Sequence, residues 1–214
     1  MCIRDRNGNK QINVSIPGLF NVFNAMLAAS VCMKLGIDLD TIAEGLKSVK
    51  GVSGRMESLP AEGFDFSVIL DFAHTPDGLS NLLSAVQGFA KGRVIAVFGC
   101  GGDRDNAKRP IMGATAAKLA DFCVVTSDNP RTEDPTRIIN MVLEGVRSEK
   151  TEYVVIENRL EAIRYALNIA KKDDVVVLAG KGHENYQEIN GIKHPFDEKI
   201  IVAEILEDMR CGRK

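Results

Sequence analysis

Excess charge of either sign is missing from this sequence of 214 residues: 27 lysines and arginines stand against 29 aspartates and glutamates. Without a long-range field, binding to a nucleic-acid backbone or an anionic membrane is disfavoured. Cysteine is sparse and unpatterned. Cys2, Cys32, Cys100, Cys123 and Cys211 are odd in number and scattered, with no knuckle or His/Cys spacing for zinc. A reducing cytosol with buried or incidental thiols follows. Long apolar runs are missing too: none approaches the ~20 residues that cross a bilayer, and the N-terminus lacks the apolar core of a signal peptide. The expectation is a soluble, intracellular protein without membrane insertion. Its length suits one domain of about 100–200 residues, or one domain plus a piece of another.

What is present divides at residues 51–54. Residues 1–6 (MCIRDR) fit nothing that follows. They resemble translated adapter sequence at a broken gene end, or form a short polar arm. Residues 1–10 are therefore set aside as a leader, and on the first reading the chain is a fragment. Residues 11–16 alternate, with Ile12, Val14 and Ile16 apolar, and predict a half-buried strand ended by Pro17 and Gly18. Residues 20–35 are apolar all round and predict a well-buried helix closed at Gly36. A second helix over 38–49 starts from Asp38 or Asp40 as its cap.

Beyond the 51–54 loop the pattern becomes strand, then helix, repeatedly. Short branched runs at 67–70, 93–98, 122–126, 153–156 and 175–178 predict buried parallel strands. Amphipathic stretches at 77–90, 110–120, 135–147 and 159–172 lie between or beside them, with a closing helix over 196–209. Asn190-Gly191 marks a hairpin between 186–189 and 192–194. This alternation predicts an α/β fold: a doubly wound, Rossmann-like, mostly parallel sheet with helices on both faces, preceded by a strand-helix-helix remnant of a second domain. Ligands gather at the carboxyl ends of such strands. Four of those ends here, at 71–77, 99–109, 127–134 and 180–184, carry dense polar chemistry.

Each strand end admits more than one reading. Gly99 to Asp103 (GCGGD) sits on the second strand, and cations rather than a helix follow it, so it fits a dinucleotide fingerprint poorly. Glycines with Arg104, Lys108 and Arg109 better suit a carboxylate or phosphate, or form a structural turn with solvated charges. Gly180-Lys181-Gly182-His183-Glu184 lacks the G-x-x-x-x-G-K-[ST] spacing of a phosphate loop, which occurs nowhere in the chain. Its glycines would let a ligand approach the backbone, and Glu184 would accept from an ammonium; a core histidine beside a solvated glutamate is the alternative. In Asp128-Asn129-Pro130-Arg131, the arginine suits a bidentate carboxylate contact, or the segment is an ordinary turn anchored by Asp128. Asp71 could accept from ribose hydroxyls and His74 could contact a phosphate. No serine or cysteine nucleophile stands near enough in sequence for a hydrolytic triad, and His74, His183 and His194 lack metal-ligand spacing.

Taken together, six segments resemble the Mur ligases, most of all those members that add the third residue of the peptidoglycan stem peptide. They are IPGLFNVFNAMLAA (16–29), GRMESL (54–59), ILDFAHTPDGL (69–79), VFGCGGDRDNAKRPIMG (97–113), TSDNPRTEDP (126–135) and AGKGHENYQ (179–187). The resemblance implies that residues 11–52 are the tail of a central ATPase domain and 53–214 a complete C-terminal, amino-acid-binding domain. It implies an ATP-dependent, amide-bond-forming ligase of the bacterial cytoplasm that needs Mg²⁺. The phosphate loop, magnesium ligands, modified lysine and UDP-binding domain of the family have no counterpart here, so the chain is expected to be inactive alone. Asn24, Arg55 and Asp71, with His74 beside them, match positions at ATP. Arg104, Asn129, Arg131, Gly180 and Glu184 match positions that hold the incoming amino acid, with Asp128 and Pro130 in the same motif.

The DNPR motif is similar to that of relatives that add meso-diaminopimelate to UDP-N-acetylmuramoyl-L-alanyl-D-glutamate, whereas lysine-adding relatives usually lack its arginine. The second amino-acid head of meso-diaminopimelate carries a carboxylate that Arg131 can pair; lysine ends in a bare ammonium. Losing a buried ion-pair partner costs about 3–5 kcal/mol, two to three orders of magnitude in binding. A lysine-adding ligase and a stand-alone amino-acid or nucleotide-binding module are the alternatives. Phe72, where the family more often has tyrosine, changes little.

Overall fold

The computed structural model describes residues 2–5, 8–14, 18–49 and 51–212. Two compact units result, Met1–Val52 and Ser53–Lys214. No helix among the described residues is long and apolar enough to cross a membrane.

In the first unit, β1 (Cys2–Asp5) pairs antiparallel with β2 (Gly8–Gln11), followed by α1 (Leu19–Lys34) and α2 (Leu39–Ser48). The sequence predicted a strand from residue 11 to 16. Instead the strand ends at Gln11, residues 12–14 have no regular structure, and residues 15–17 lie outside the described residues. Pairing with β1, on a segment set aside as leader, moves the strand towards the N-terminus. The cap on α2 is Asp38, whose Oδ1 accepts from the Thr41 N–H at 2.9 Å. Helix α1 was expected to be well buried, yet only Ala25 and Ala29 are; Leu19, Phe23, Leu27 and Leu35 are each at least 60% exposed. Within its unit, α1 packs on α2 alone among the helices, and one helix can cover only one stripe of another.

The second unit runs β3 (Glu57–Leu59), β4 (Ser67–Asp71), α3 (Pro76–Gln87), β5 (Val94–Phe98), α4 (Lys108–Leu119), β6 (Phe122–Val125) and α5 (Pro135–Val146). It continues with β7 (Glu152–Val155), α6 (Arg159–Ile169), β8 (Val175–Ala179), β9 (Tyr186–Ile189), β10 (Ile192–Pro195) and α7 (Glu198–Arg210). Six strands form one sheet in the order β3-β4-β8-β5-β6-β7, with only the edge strand β3 antiparallel. Alternate residues of each strand feed opposite faces. Val68, Leu70, Ile95, Val97, Val176 and Leu178 pack with α6 and α7 in one core. Helices α3, α4 and α5 lie side by side in a second helical layer, so both faces of the sheet are covered.

β4, β8 and β5 are buried through their apolar positions, as the continuous runs predicted. β7 departs from that expectation: as an edge strand it exposes Tyr153 and Val155. Helix starts are set by short polar side chains. Thr75 Oγ1 accepts from Gly78 N–H at 3.1 Å, Asp134 from Thr136, Asn158 from Leu160 and Glu161, and Asp197 from Lys199. The N-terminus of α4 has no side-chain cap and no acidic residue in its first turn. Its dipole therefore adds positive potential beside the β5 loop.

Candidate functional site

Strand register brings the four polar loops to one edge of the sheet. Asp71 pairs with Ala179, Val97 with Leu178, and Phe98 with Val125, so the β4, β8, β5 and β6 loops leave at one level. They enclose a cavity of about 270 Å³. That is close to the lower end of small-molecule sites, about 300–1,000 Å³. Arg104, Asp128, Asn129, Arg131, Gly180 and Glu184, all singled out from the sequence, line it together with His74. Pro130 is buried beside them, and its carbonyl receives the Glu133 N–H at 3.0 Å. Phe72, Thr75, Gly101 and Lys108 complete the lining.

The β6 loop is fixed by its neighbours. Arg131 has φ +51, a left-handed conformation that an arginine keeps only where the surroundings impose it. Its backbone bridges to β9: its N–H donates to the Glu188 carbonyl at 3.1 Å and its carbonyl accepts from Asn190 at 2.7 Å. Its Nη1 donates to the Gly102 carbonyl at 2.8 Å, and Nε lies 3.3 Å from Glu188 Oε2. The guanidinium is thus held by two neighbours and still borders the cavity.

A half-buried clamp joins the β5 and β6 loops. Fully buried Arg109 binds Glu133 through both terminal nitrogens at 3.0 and 2.8 Å, and donates to the Gly101 carbonyl at 3.2 Å. Glu133 also accepts from the Asp103 N–H at 2.6 Å. These bonds, the Arg109 guanidinium foremost, pull the Glu133 carboxyl down to about 2. Asp103 returns the contact, accepting from Thr132 Oγ1 at 2.8 Å. The loops run so close that a β-carbon on Gly102 would stand 1.9 Å from the Pro130 carbonyl oxygen.

Below the cavity, Lys181 has no solvent exposure. Its ammonium donates to Asn129 Oδ1 at 2.9 Å and to the Tyr186 carbonyl at 2.8 Å, with Asp128 and Glu184 carboxylates at 3.5 and 3.7 Å. Burial pushes its pKa down, opposed by Asp128. Asn129 Nδ2 donates to Glu184 Oε2 at 2.9 Å. Gly180 has φ +122, and a β-carbon there would meet Asp128 Oδ2 at 2.6 Å, so only glycine lets the β8 loop border the cavity at this point. Deeper still, Arg159 and Glu198 form a buried ion pair at 2.7 Å, and Arg159 also donates to the Ala179 carbonyl at 2.9 Å. Burial opposes the Arg159 charge, but Glu198 and Asp128 outweigh it and raise its pKa.

Of the residues matched to ATP, Arg55, Asp71 and His74 lie in the second unit. Asp71 is buried, with its oxygens accepting from the Met56 and Ala73 N–H groups, both at 2.7 Å. Burial raises its pKa, and those two amides counter the rise. The Arg55 guanidinium carbon lies 5.0 Å from the centre of the Phe72 ring, and the His74 ring lies 4.6 Å from it, edge-on. His74 Nδ1 is 2.8 Å from the Phe72 carbonyl. Asn24 lies on exposed α1 in the first unit, 3.4 Å from Asn21 Oδ1. Cys100 is buried behind the β5 loop with its thiol pushed up to about 12 by desolvation, a poor nucleophile. Among the described residues, no group of three or more His, Cys, Asp or Glu could hold a metal ion.

Sequence reasoning gave no role to Lys181 or Glu188, and it read Lys108 and Arg109 as cations for an anion without the Arg109–Glu133 clamp. A lysine between two glycines at the end of a buried strand was a usable signal for the first. The other partnerships join residues far apart in sequence. Chemically, the cavity offers cations from Arg104, Lys108 and Arg131 to carboxylates, and acceptors from Asp128 and Glu184 to ammonium groups.

A family profile described as "Mur ligase, glutamate ligase domain" matches residues 54–182. The UDP-N-acetylmuramoyl-L-alanyl-D-glutamate--2,6-diaminopimelate ligase of Caldanaerobacter subterraneus subsp. tengcongensis is 52% identical over 206 residues, 96% of this chain and 42% of that protein. Ligase 1 of the same description from Clostridium acetobutylicum is 48% identical over 205 residues, 95% of this chain and 42% of that protein. The chain thus spans less than half the length of these relatives. Among solved structures, one described as a UDP-N-acetylmuramoyl-L-alanyl-D-glutamate--2,6-diaminopimelate ligase superposes with a TM-score of 0.72 at 36% identity, covering 98% of this chain and 42% of that one. A UDP-N-acetylmuramate-alanine ligase from Thermotoga maritima shares the fold, with a TM-score of 0.70 at 22% identity, covering 94% of this chain and 40% of that one.

Proposed function

Because the chain belongs to the Mur ligase family, we propose that it supplies the amino-acid-binding part of an ATP-dependent ligase of the bacterial cytoplasm. That ligase joins meso-diaminopimelate to UDP-N-acetylmuramoyl-L-alanyl-D-glutamate in peptidoglycan synthesis. Residues 53–214 are the amino-acid-binding domain, and residues 11–52 are the tail of the domain that hydrolyses ATP. In this reading ATP phosphorylates the acceptor's terminal carboxylate, releasing ADP, and the amine bound here attacks the acyl phosphate and displaces phosphate to form the amide, with Mg²⁺ held by parts of the enzyme outside this chain. The contribution of these residues is to hold the amine in position, which turns a collision of two molecules into a directed attack.

The observation that carries the reading is the convergence of Arg131, Arg104, Asn129 and Glu184 on one cavity of about 270 Å³. Arg131 pairs the carboxylate of the distal amino-acid head, Asp128 and Glu184 accept from ammonium groups, and Gly180 gives room at the backbone. Arg55, Asp71, His74 and Asn24 belong to the ATP side, with Asp71 bracing the β4 loop through the Met56 and Ala73 amides. Calorimetry on this chain tests the assignment. Meso-diaminopimelate binds, L-lysine binds far more weakly, and Arg131→Ala weakens only the former, by about 100-fold or more. Equal losses for both amino acids would sink the assignment, and tighter binding of lysine would favour a lysine-adding enzyme.

A further inference from the structure

Lys181 touches no solvent and lines no part of the cavity wall, yet it reaches three of the polar side chains that do. Interiors accept a lysine only where its charge and protons are met. Here one proton goes to Asn129 Oδ1 at 2.9 Å, one to the Tyr186 carbonyl at 2.8 Å, and Asp128 Oδ1 lies 3.5 Å away. Asn129 Oδ1 also accepts from the Glu188 N–H at 3.0 Å. An amide oxygen has two acceptor positions, and both are filled from the floor side. The amide is thereby locked: turned over, its NH₂ would face an ammonium and a backbone N–H.

We infer that Lys181 is a positioning residue of the cavity, acting through Asn129. Its ammonium keeps the Asn129 oxygen inward and Nδ2 turned to Glu184, which it holds at 2.9 Å through Oε2. Glu184 Oε1 is left to accept from a ligand ammonium. The Lys181 ammonium also lies 3.5 and 3.7 Å from the Asp128 and Glu184 carboxylates and offsets their mutual repulsion. The flanking glycines allow this placement: Gly180 at φ +122 and Gly182 at φ +54 let the chain face the cavity at one residue and drive the next beneath it. The contribution to ligand binding rests on the proposed function; the locking of Asn129 does not.

The test combines side-chain amide NMR with calorimetry on the ¹⁵N-labelled chain. The Asn129 NH₂ pair, assigned by its loss in Asn129→Asp, is expected to show two well-separated, exchange-protected signals in the wild type. In Lys181→Met these move towards averaged, fast-exchanging positions while the backbone spectrum stays folded. Affinity for meso-diaminopimelate falls about 10- to 100-fold, the range for a hydrogen bond with a charged partner. The double variant with Asn129→Ala binds no more weakly than Asn129→Ala alone. An Asn129 amide unchanged by Lys181→Met, or losses that multiply in the double variant, overturns the inference. If Lys181→Met does not fold, the wild type alone decides: a freely exchanging Asn129 amide there overturns the inference without any variant. A wild type that binds no meso-diaminopimelate removes the functional reading, and the amide signals still decide the role of Lys181.

Discussion

Behind the cavity lining, Lys181, Arg109 and Arg159 are buried, and each faces a carboxylate: Asp128, Glu133 and Glu198. At the rim, among the described residues, Arg104 and Lys108 donate to the carbonyls of Asp103 and His74, at 3.2 and 3.0 Å. The same kinds of residue therefore serve opposite ends. Inside, charge is consumed in fixing the shape and hydrogen-bond polarity of the loops; outside, it stays available to an incoming anion. A variant inside should change stability or the set of the loops, with binding following from that, whereas a variant at the rim should change binding alone.

The sharpest break comes at Arg159. Arg159→Met strands the Glu198 carboxylate in the core, and urea denaturation should show a loss of about 3–5 kcal/mol; a loss under 1 kcal/mol would erase the distinction between floor and rim. Gly102→Ala comes next, since its methyl group would stand 1.9 Å from the Pro130 carbonyl. Pushing the β5 and β6 loops apart should cost about 1–3 kcal/mol in thermal or urea melts and weaken meso-diaminopimelate binding with it. Binding unchanged after such a loss would mean the loop clamp does not shape the cavity.

Acid probes the clamp without a mutation. Glu133 titrates at about 2 in the folded chain against an ordinary 4.5, so the native state binds fewer protons than the unfolded state between those values. Its stabilising contribution is complete above pH 4.5 and lost as pH falls towards about 2. Glu133→Gln should flatten that part of the melting-temperature profile. The smallest stability effect belongs to the rim: Arg104→Ala should stay within about 0.5 kcal/mol of wild type. Its affinity for meso-diaminopimelate should nonetheless fall, and the salt dependence of binding should diminish.

The fold was legible wherever burial wrote itself into consecutive residues. The all-apolar runs at 94–98 and 175–179 are the two central strands, and their neighbours turned on Pro76, Asp134 and Asn158 at the helix starts. Less could be read where long-range pairing decided the outcome. β3 has three residues, too few for a period, and exists because β4 offers it an edge. The all-apolar pattern of residues 20–35 was read as burial, whereas most of its large side chains are exposed. At the site, six of the residues singled out after strand ends, Arg104, Asp128, Asn129, Arg131, Gly180 and Glu184, border one cavity. The partners that hold the lining did not show, because Lys181 meets Asn129 across 52 positions and Arg109 meets Glu133 across 24.

Strand order bears finally on how the molecule comes into being. β4 and β5 follow one another along the chain, yet β8 lies between them in the sheet. During synthesis, residues up to 174 can form β5-β6-β7 and β3-β4 as separate pieces, each with an unpaired inner edge open to the wrong partner. Residues 175–179 close both edges at once. Gly180, Lys181 and Glu184 leave the ribosome directly behind that strand, so the last event in assembling the sheet is also the event that lays the floor of the cavity.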